Sequence, residues 1–146
     1  MPTGSCLCGA VRFEVAGEVS QIELCHCVKC RKAYGAAFAA TLYARAEDFR
    51  WLEGERRVAT FDAPLESTPP AYRHCFCTAC GSPLPLVWDG LPLVELPAAT
   101  LDDPIGVRPR YHMFTSQKPE WFEISDGLER HDGPSPFAEK VIHSVL

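Results

Sequence analysis

The sequence predicts a mostly β domain with few short helical turns, and three observations carry that prediction. Short segments alternate apolar and polar residues, turn-forming clusters separate them at short intervals, and thirteen prolines leave little room for helix interiors. In AVRFEVAGE, residues 10–18, Val11, Phe13 and Val15 alternate with Arg12 and Glu14, the period-two pattern of a half-buried strand ending at Gly17. Further short strands are expected, in chain order, at IELC, AAFAATLYA, FRWLEG, RVATF, YRHCFC, PLVELP and RYHMF. APLESTPPA, CGSPLP, WDGLP and LDDPIGVRP supply the turns. Helical turns are expected at ARAEDF and at SPFAEKVIHSVL. With 146 residues and no linker or low-complexity tract, residues 1–146 read as a single domain.

A net charge of −5 argues against a nucleic-acid surface. The chain has neither a charged start followed by an apolar run nor an apolar stretch long enough to span a bilayer. A soluble cytoplasmic protein with no membrane partner is therefore expected. In that compartment eight cysteines point to metal rather than to disulfides. They fall in three tight groups, Cys6 and Cys8, then Cys25, Cys27 and Cys30, then Cys75, Cys77 and Cys80. C-x-C and C-x-x-C spacings suit zinc knuckles and would make cramped disulfides. The spacing C-x-C-x-x-C occurs at 25–30 and again at 75–80, but the flanks differ and no third copy follows, so it reflects knuckle geometry and not a repeat.

Cys6 and Cys8, two apart in an extended segment, face the same side, and Gly9 permits the chain to turn back. Cys77 and Cys80, followed by Gly81, form the matching pair. Together the four sulfurs make a tetrahedral structural zinc site that closes a long loop. Cys25, Cys27 and Cys30 then lack a fourth ligand. Either Cys75 closes a second four-sulfur site, or the position is left open to water or a thiol, as in catalytic zinc. In a strand Cys75 would share a face with Cys77, which places it beside the first site.

The histidines carry less. His26 and His74 adjoin cysteine ligands, and His26 should point away from them, behind the site or into solvent. His112 reads as a structural histidine, and His131 and His143 have no supporting constellation. Lys29, Arg31 and Lys32 surround the cysteine trio, either as a solvated basic face or as charges that lower thiolate pKa values and attract an anionic ligand.

The ordered blocks GSCLCGAVRFEV, CHCVKCRKAYGAAF, RHCFCTACGSPL and HMFTSQKPEWFEISDGLERHDG resemble the glutathione-dependent formaldehyde-activating enzyme family, which also contains centromere protein V. The resemblance covers about residues 4–133 and leaves 134–146 as a tail. It implies a β-tent architecture of antiparallel sheets around structural zinc. By resemblance, Cys6, Cys8, Cys77 and Cys80 hold that zinc, while Cys25, Cys27 and Cys30 hold a second, catalytic-type zinc. The implied activity is a carbon–sulfur lyase type, joining glutathione to a small aldehyde to give S-(hydroxymethyl)glutathione. Lys29 and Arg31 are then candidates to bind glutathione. The alternative is a non-catalytic zinc module that carries glutathione or binds a protein partner. Cys75 falls outside the family's ligand pattern.

Overall fold

The computed structural model describes residues 1–64 and 72–135. Among them the strands are β1 (Thr3–Ser5), β2 (Arg12–Val15), β3 (Ile22–Cys25), β4 (Ala39–Arg45), β5 (Phe49–Glu53), β6 (Val58–Asp62), β7 (Arg73–Cys77), β8 (Leu86–Val87), β9 (Leu93–Pro97), β10 (Pro109–Met113) and β11 (Glu129–Arg130). The protein is thus mostly β, as expected. The turn anticipated at ARAEDF is a single 3₁₀ turn, Ala46–Asp48. The one anticipated at SPFAEKVIHSVL lies, apart from Ser135, outside the described residues, as does most of APLESTPPA.

One helix was not anticipated: α1 (Val28–Tyr34), inside the cysteine-rich segment. Its first turn is capped by Cys27, whose sulfur accepts the Cys30 backbone N–H, and it stops at Gly35 with φ 60°. Prolines bar helix interiors elsewhere in the chain, but this segment contains none.

The strands form three sheets, ordered β1-β2-β5, β11-β10-β3-β4-β9-β8 and β6-β7. The large sheet is mixed and not purely antiparallel, because β10 runs parallel to both β3 and β11. Its pairings Cys25↔Ala39, Tyr43↔Glu95 and Met113↔Cys25 set which side chains share a face. Strand alternation then puts Glu23, Cys25, Tyr43, Glu95 and Tyr111 on one side. Leu24, Leu42, Ala44, Val94 and Leu96 take the other.

That second side is the main apolar core. Leu42, Ala44, Val94 and Leu96 pack against Phe13 and Val15 of the small sheet, and all six are inaccessible to solvent. Truncating a buried phenylalanine such as Phe13 costs about 3–5 kcal/mol, so this layer anchors the fold. The polar side is left to α1, which lies across it with Tyr34, Tyr43 and Tyr72 packed around the cysteines.

Candidate functional site

Two cysteine clusters form among the described residues, and each brings its sulfur atoms within 4.8 Å of one another. The first joins Cys6, Cys8, Cys77 and Cys80. Each pair sits on a knuckle: the Gly9 N–H bonds to the Cys6 carbonyl (2.9 Å) and the Gly81 N–H to the Cys77 carbonyl (2.7 Å). Gly9 and Gly81 adopt φ of 75° and 76°, the left-handed turn their sequence positions called for. A tetrahedral ion with bonds of about 2.3 Å places its sulfurs about 3.8 Å apart. The Cys6–Cys8 sulfur separation of 3.6 Å fits that arrangement. The two knuckles are also tied directly, since Ser82 Oγ accepts the Leu7 N–H at 2.9 Å. These four residues can therefore hold a metal ion with a complete set of protein ligands.

The second cluster joins Cys25, Cys27 and Cys30, all buried. Cys25 ends β3, Cys27 caps α1, and Cys30 lies one turn into the helix. The three sulfurs compete for protons. Hydrogen bonds from the Cys25 and Cys30 thiols, then from backbone N–H groups at the helix start, hold Cys27 far below the ordinary thiol range. Cys25 and Cys30 are pushed up in turn, each chiefly by its cysteine neighbours. Thiolate charge in the metal-free trio is thus favoured at Cys27, and a bound metal ion would extend deprotonation to the other two.

Cys75 joins neither cluster. It packs with Cys6, Val11, Cys77, Leu84 and Leu86, on the side of the first site as strand alternation required. Its thiol donates to the Pro85 carbonyl at 3.2 Å, and burial raises its pKa to about 11. Cys75 is therefore a buried neutral thiol, and the trio gains no fourth sulfur from it.

The basic residues divide. Lys29 is 8% exposed and not part of a solvated face. Lys29 and Lys32 line a cavity of about 620 Å³, together with Val28, Ala33, Phe61, Tyr72 and His74 among the described residues. Arg31 does not line it. Its Nε is nevertheless buried with no hydrogen-bond partner among the described residues, a cationic donor in want of an acceptor.

Sequence reasoning missed two groups, Glu95 and Asp126, and named a third, His112, only as a structural histidine. Glu95 lies on the cysteine-bearing face of the sheet, and burial followed by the nearby Glu23 raises its carboxyl pKa to about 7. The other two, His112 and Asp126, continue from His26 on the opposite face. His26 Nε2 lies 2.8 Å from His112 Nδ1, and His112 Nε2 lies 3.0 Å from Asp126 Oδ2. His26 does point away from the thiols, but it is fully buried and not in solvent. His74 stacks on Phe76, and His131 meets the Tyr111 ring edge-on.

Comparison with known proteins identifies the family. The profile of the glutathione-dependent formaldehyde-activating enzyme family matches residues 1–117. A protein of Halomonas elongata that carries the same name provisionally is 34% identical over 125 residues, covering 83% of this chain and 79% of its own. A crystal structure of a Rhodobacter sphaeroides protein aligns with a TM-score of 0.50 at 29% identity, covering 73% of this chain and 97% of its own. The chain belongs to the glutathione-dependent formaldehyde-activating enzyme family.

Proposed function

We propose that this member of the glutathione-dependent formaldehyde-activating family is a zinc-dependent carbon–sulfur lyase-type enzyme acting on glutathione and a small aldehyde. One observation carries the reading: Cys25, Cys27 and Cys30 converge without a fourth ligand among the described residues, at the start of a helix whose Lys29 and Lys32 line a cavity. In this reading Cys6, Cys8, Cys77 and Cys80 hold a structural zinc, and the trio holds a second. A zinc ion at the trio would supply an open position at which a thiol is held deprotonated and a carbonyl is polarised.

The rest is the work of the chain's own groups. Lys29 and Lys32 attract the carboxylates of a thiol such as glutathione, and the unpartnered Arg31 Nε is a further donor at the helix. Tyr34, Tyr43 and Tyr72 pack against the sulfurs and exclude bulk water. Glu95 is the acid on this face whose proton affinity lies near neutrality, and it can hold a proton that leaves the thiol. The net reaction forms one carbon–sulfur bond, moves the carbonyl π electrons to oxygen, and transfers one proton from sulfur to that oxygen.

Thiols also add to formaldehyde unaided, so the test must measure acceleration. Exchange of ¹³C-formaldehyde into S-(hydroxymethyl)glutathione, followed by NMR, is expected to run faster with zinc-loaded protein than without it. Cys27→Ser is expected to abolish the increment. Glutathione binding with no increment over the spontaneous rate would instead identify a non-catalytic zinc module.

A further inference from the structure

We propose that His112 and Asp126 are positioning residues for the three-cysteine metal site, acting through His26. The inference rests on the reading that the trio holds a metal. His26 lies between Cys25 and Cys27, so at the end of β3 its side chain leaves the opposite face from theirs. Clamping the middle residue of such a triplet clamps the direction of both neighbours. Nothing on the cysteine side is needed for this.

The clamp is a chain of oriented hydrogen bonds. The Asp126 carboxylate is itself held by the Leu128 N–H, which donates to Oδ1 at 3.0 Å. As an acceptor it fixes the proton of His112 on Nε2, at 3.0 and 3.1 Å from its two oxygens. His112 Nδ1 is then bare and accepts from His26 Nε2–H at 2.8 Å. His26 Nδ1 makes no hydrogen bond within normal geometry among the described residues, so the chain ends there. Each link sets the tautomer of the next, the device by which a carboxylate orients a histidine behind a metal site. In this case the histidine orients two ligands through the backbone and is not itself a ligand.

Packing and backbone bonds support the same function. Phe38 meets the His26 ring edge-on at 5.2 Å, and Phe122 lies 6.0 Å away. The His26 N–H bonds to the Met113 carbonyl (3.0 Å), and the Val28 N–H bonds to Gln117 Oε1 (3.0 Å). The loop that carries Cys27 is thus held on both sides by β10 and the segment that follows it.

The test uses full-length protein loaded with Co²⁺, whose thiolate charge-transfer and d–d bands report each site. Cys27→Ser assigns the bands of the trio. Asp126→Ala and His112→Gln are expected to weaken Co²⁺ binding at the trio by about 10–100-fold and to shift its d–d bands. The four-sulfur site should keep its affinity and spectrum in both, and Asp126→Asn should restore most of the loss. Asp126 is at the half-exposed end of the chain of bonds, so its variants remain informative if His112→Gln does not fold. Trio affinity within twofold of wild type in Asp126→Ala overturns the proposal, as does an equal loss at both sites. Wild-type protein that takes up only one Co²⁺ overturns the metal reading of the trio, and the positioning role with it.

Discussion

The two cysteine clusters use the same residue and similar spacing, yet they are built in opposite ways. The four-sulfur cluster sits at the edge of the molecule, with Cys8 exposed and Cys80 half-exposed, and its ligands come from two knuckles far apart in sequence. The trio is buried, comes from one short segment, and depends on a helix cap and a sheet for its shape. Exposure to solvent is therefore a poor guide to which site can do chemistry. The outer cluster is accessible but offers four sulfurs, enough for a complete tetrahedral set. The inner one is hidden and offers only three among the described residues.

Substitutions separate the two designs. The largest effect is expected from Cys77→Ser, which removes a ligand that joins the N-terminal knuckle to β7. A fall in melting temperature on the order of 10 °C or more is expected by calorimetry of the zinc-loaded protein, since a structural site contributes its binding energy to folding. A melting temperature within a few degrees of wild type would mean that the outer cluster does not hold the fold together.

Cys27→Ser should show the converse. The rate increment in the formaldehyde exchange should fall at least 100-fold while the melting temperature moves far less than in Cys77→Ser. If both substitutions unfolded the chain equally, the distinction between the clusters would collapse.

Glu95 marks a further difference, because this acid of raised pKa shares the sheet face of the inner cluster. Its folded-state value of about 7 lies above the ordinary 4.5, so between these pH values the folded chain keeps a proton that the unfolded chain has released. The stabilisation from this group is complete below pH 4.5 and is lost as pH rises through about 7. Glu95→Gln is thus expected to stabilise the protein at pH 8 by at most about 3 kcal/mol, and to change little at pH 4.5. Urea denaturation at the two pH values checks the sign.

The smallest effect belongs to the cavity rim. Lys32→Glu should raise the KM for glutathione by about 5–10-fold and leave that for an uncharged thiol unchanged. Equal changes for both thiols would remove Lys32 from recognition of the carboxylates.

Strands long enough to show alternation were legible in the sequence. IELC is β3 residue for residue, and RVATF and YRHCFC each meet their strands to within a residue or so. β1, β8 and β11, two or three residues long, are too short to carry a period. α1 escaped because its cysteines read as a knuckle, although Gly35 was there to mark its end. The cysteine sets were legible for a chemical reason: metal ligands must lie close together, so short spacings survive in sequence. The carboxylate–histidine chain was not, because His26 and His112 meet only through the parallel pairing of β3 with β10. Lys29 and Arg31 illustrate the remaining gap. Charge runs identify a basic segment, but helix geometry decides which members face the cavity, and it selects Lys29 with Lys32.

The parallel pairing of β10 with β3 also imposes a schedule. The two histidines are 86 residues apart, and a ribosome adding about 5–20 residues per second needs roughly 4 to 17 s to cross that interval. For nearly all of it the three thiols exist, with neither His112 nor Asp126 yet made to brace them. The outer cluster can assemble earlier, once Cys80 has emerged. The nascent chain therefore completes its peripheral cluster first and its interior one last, when β10 slides in beside β3.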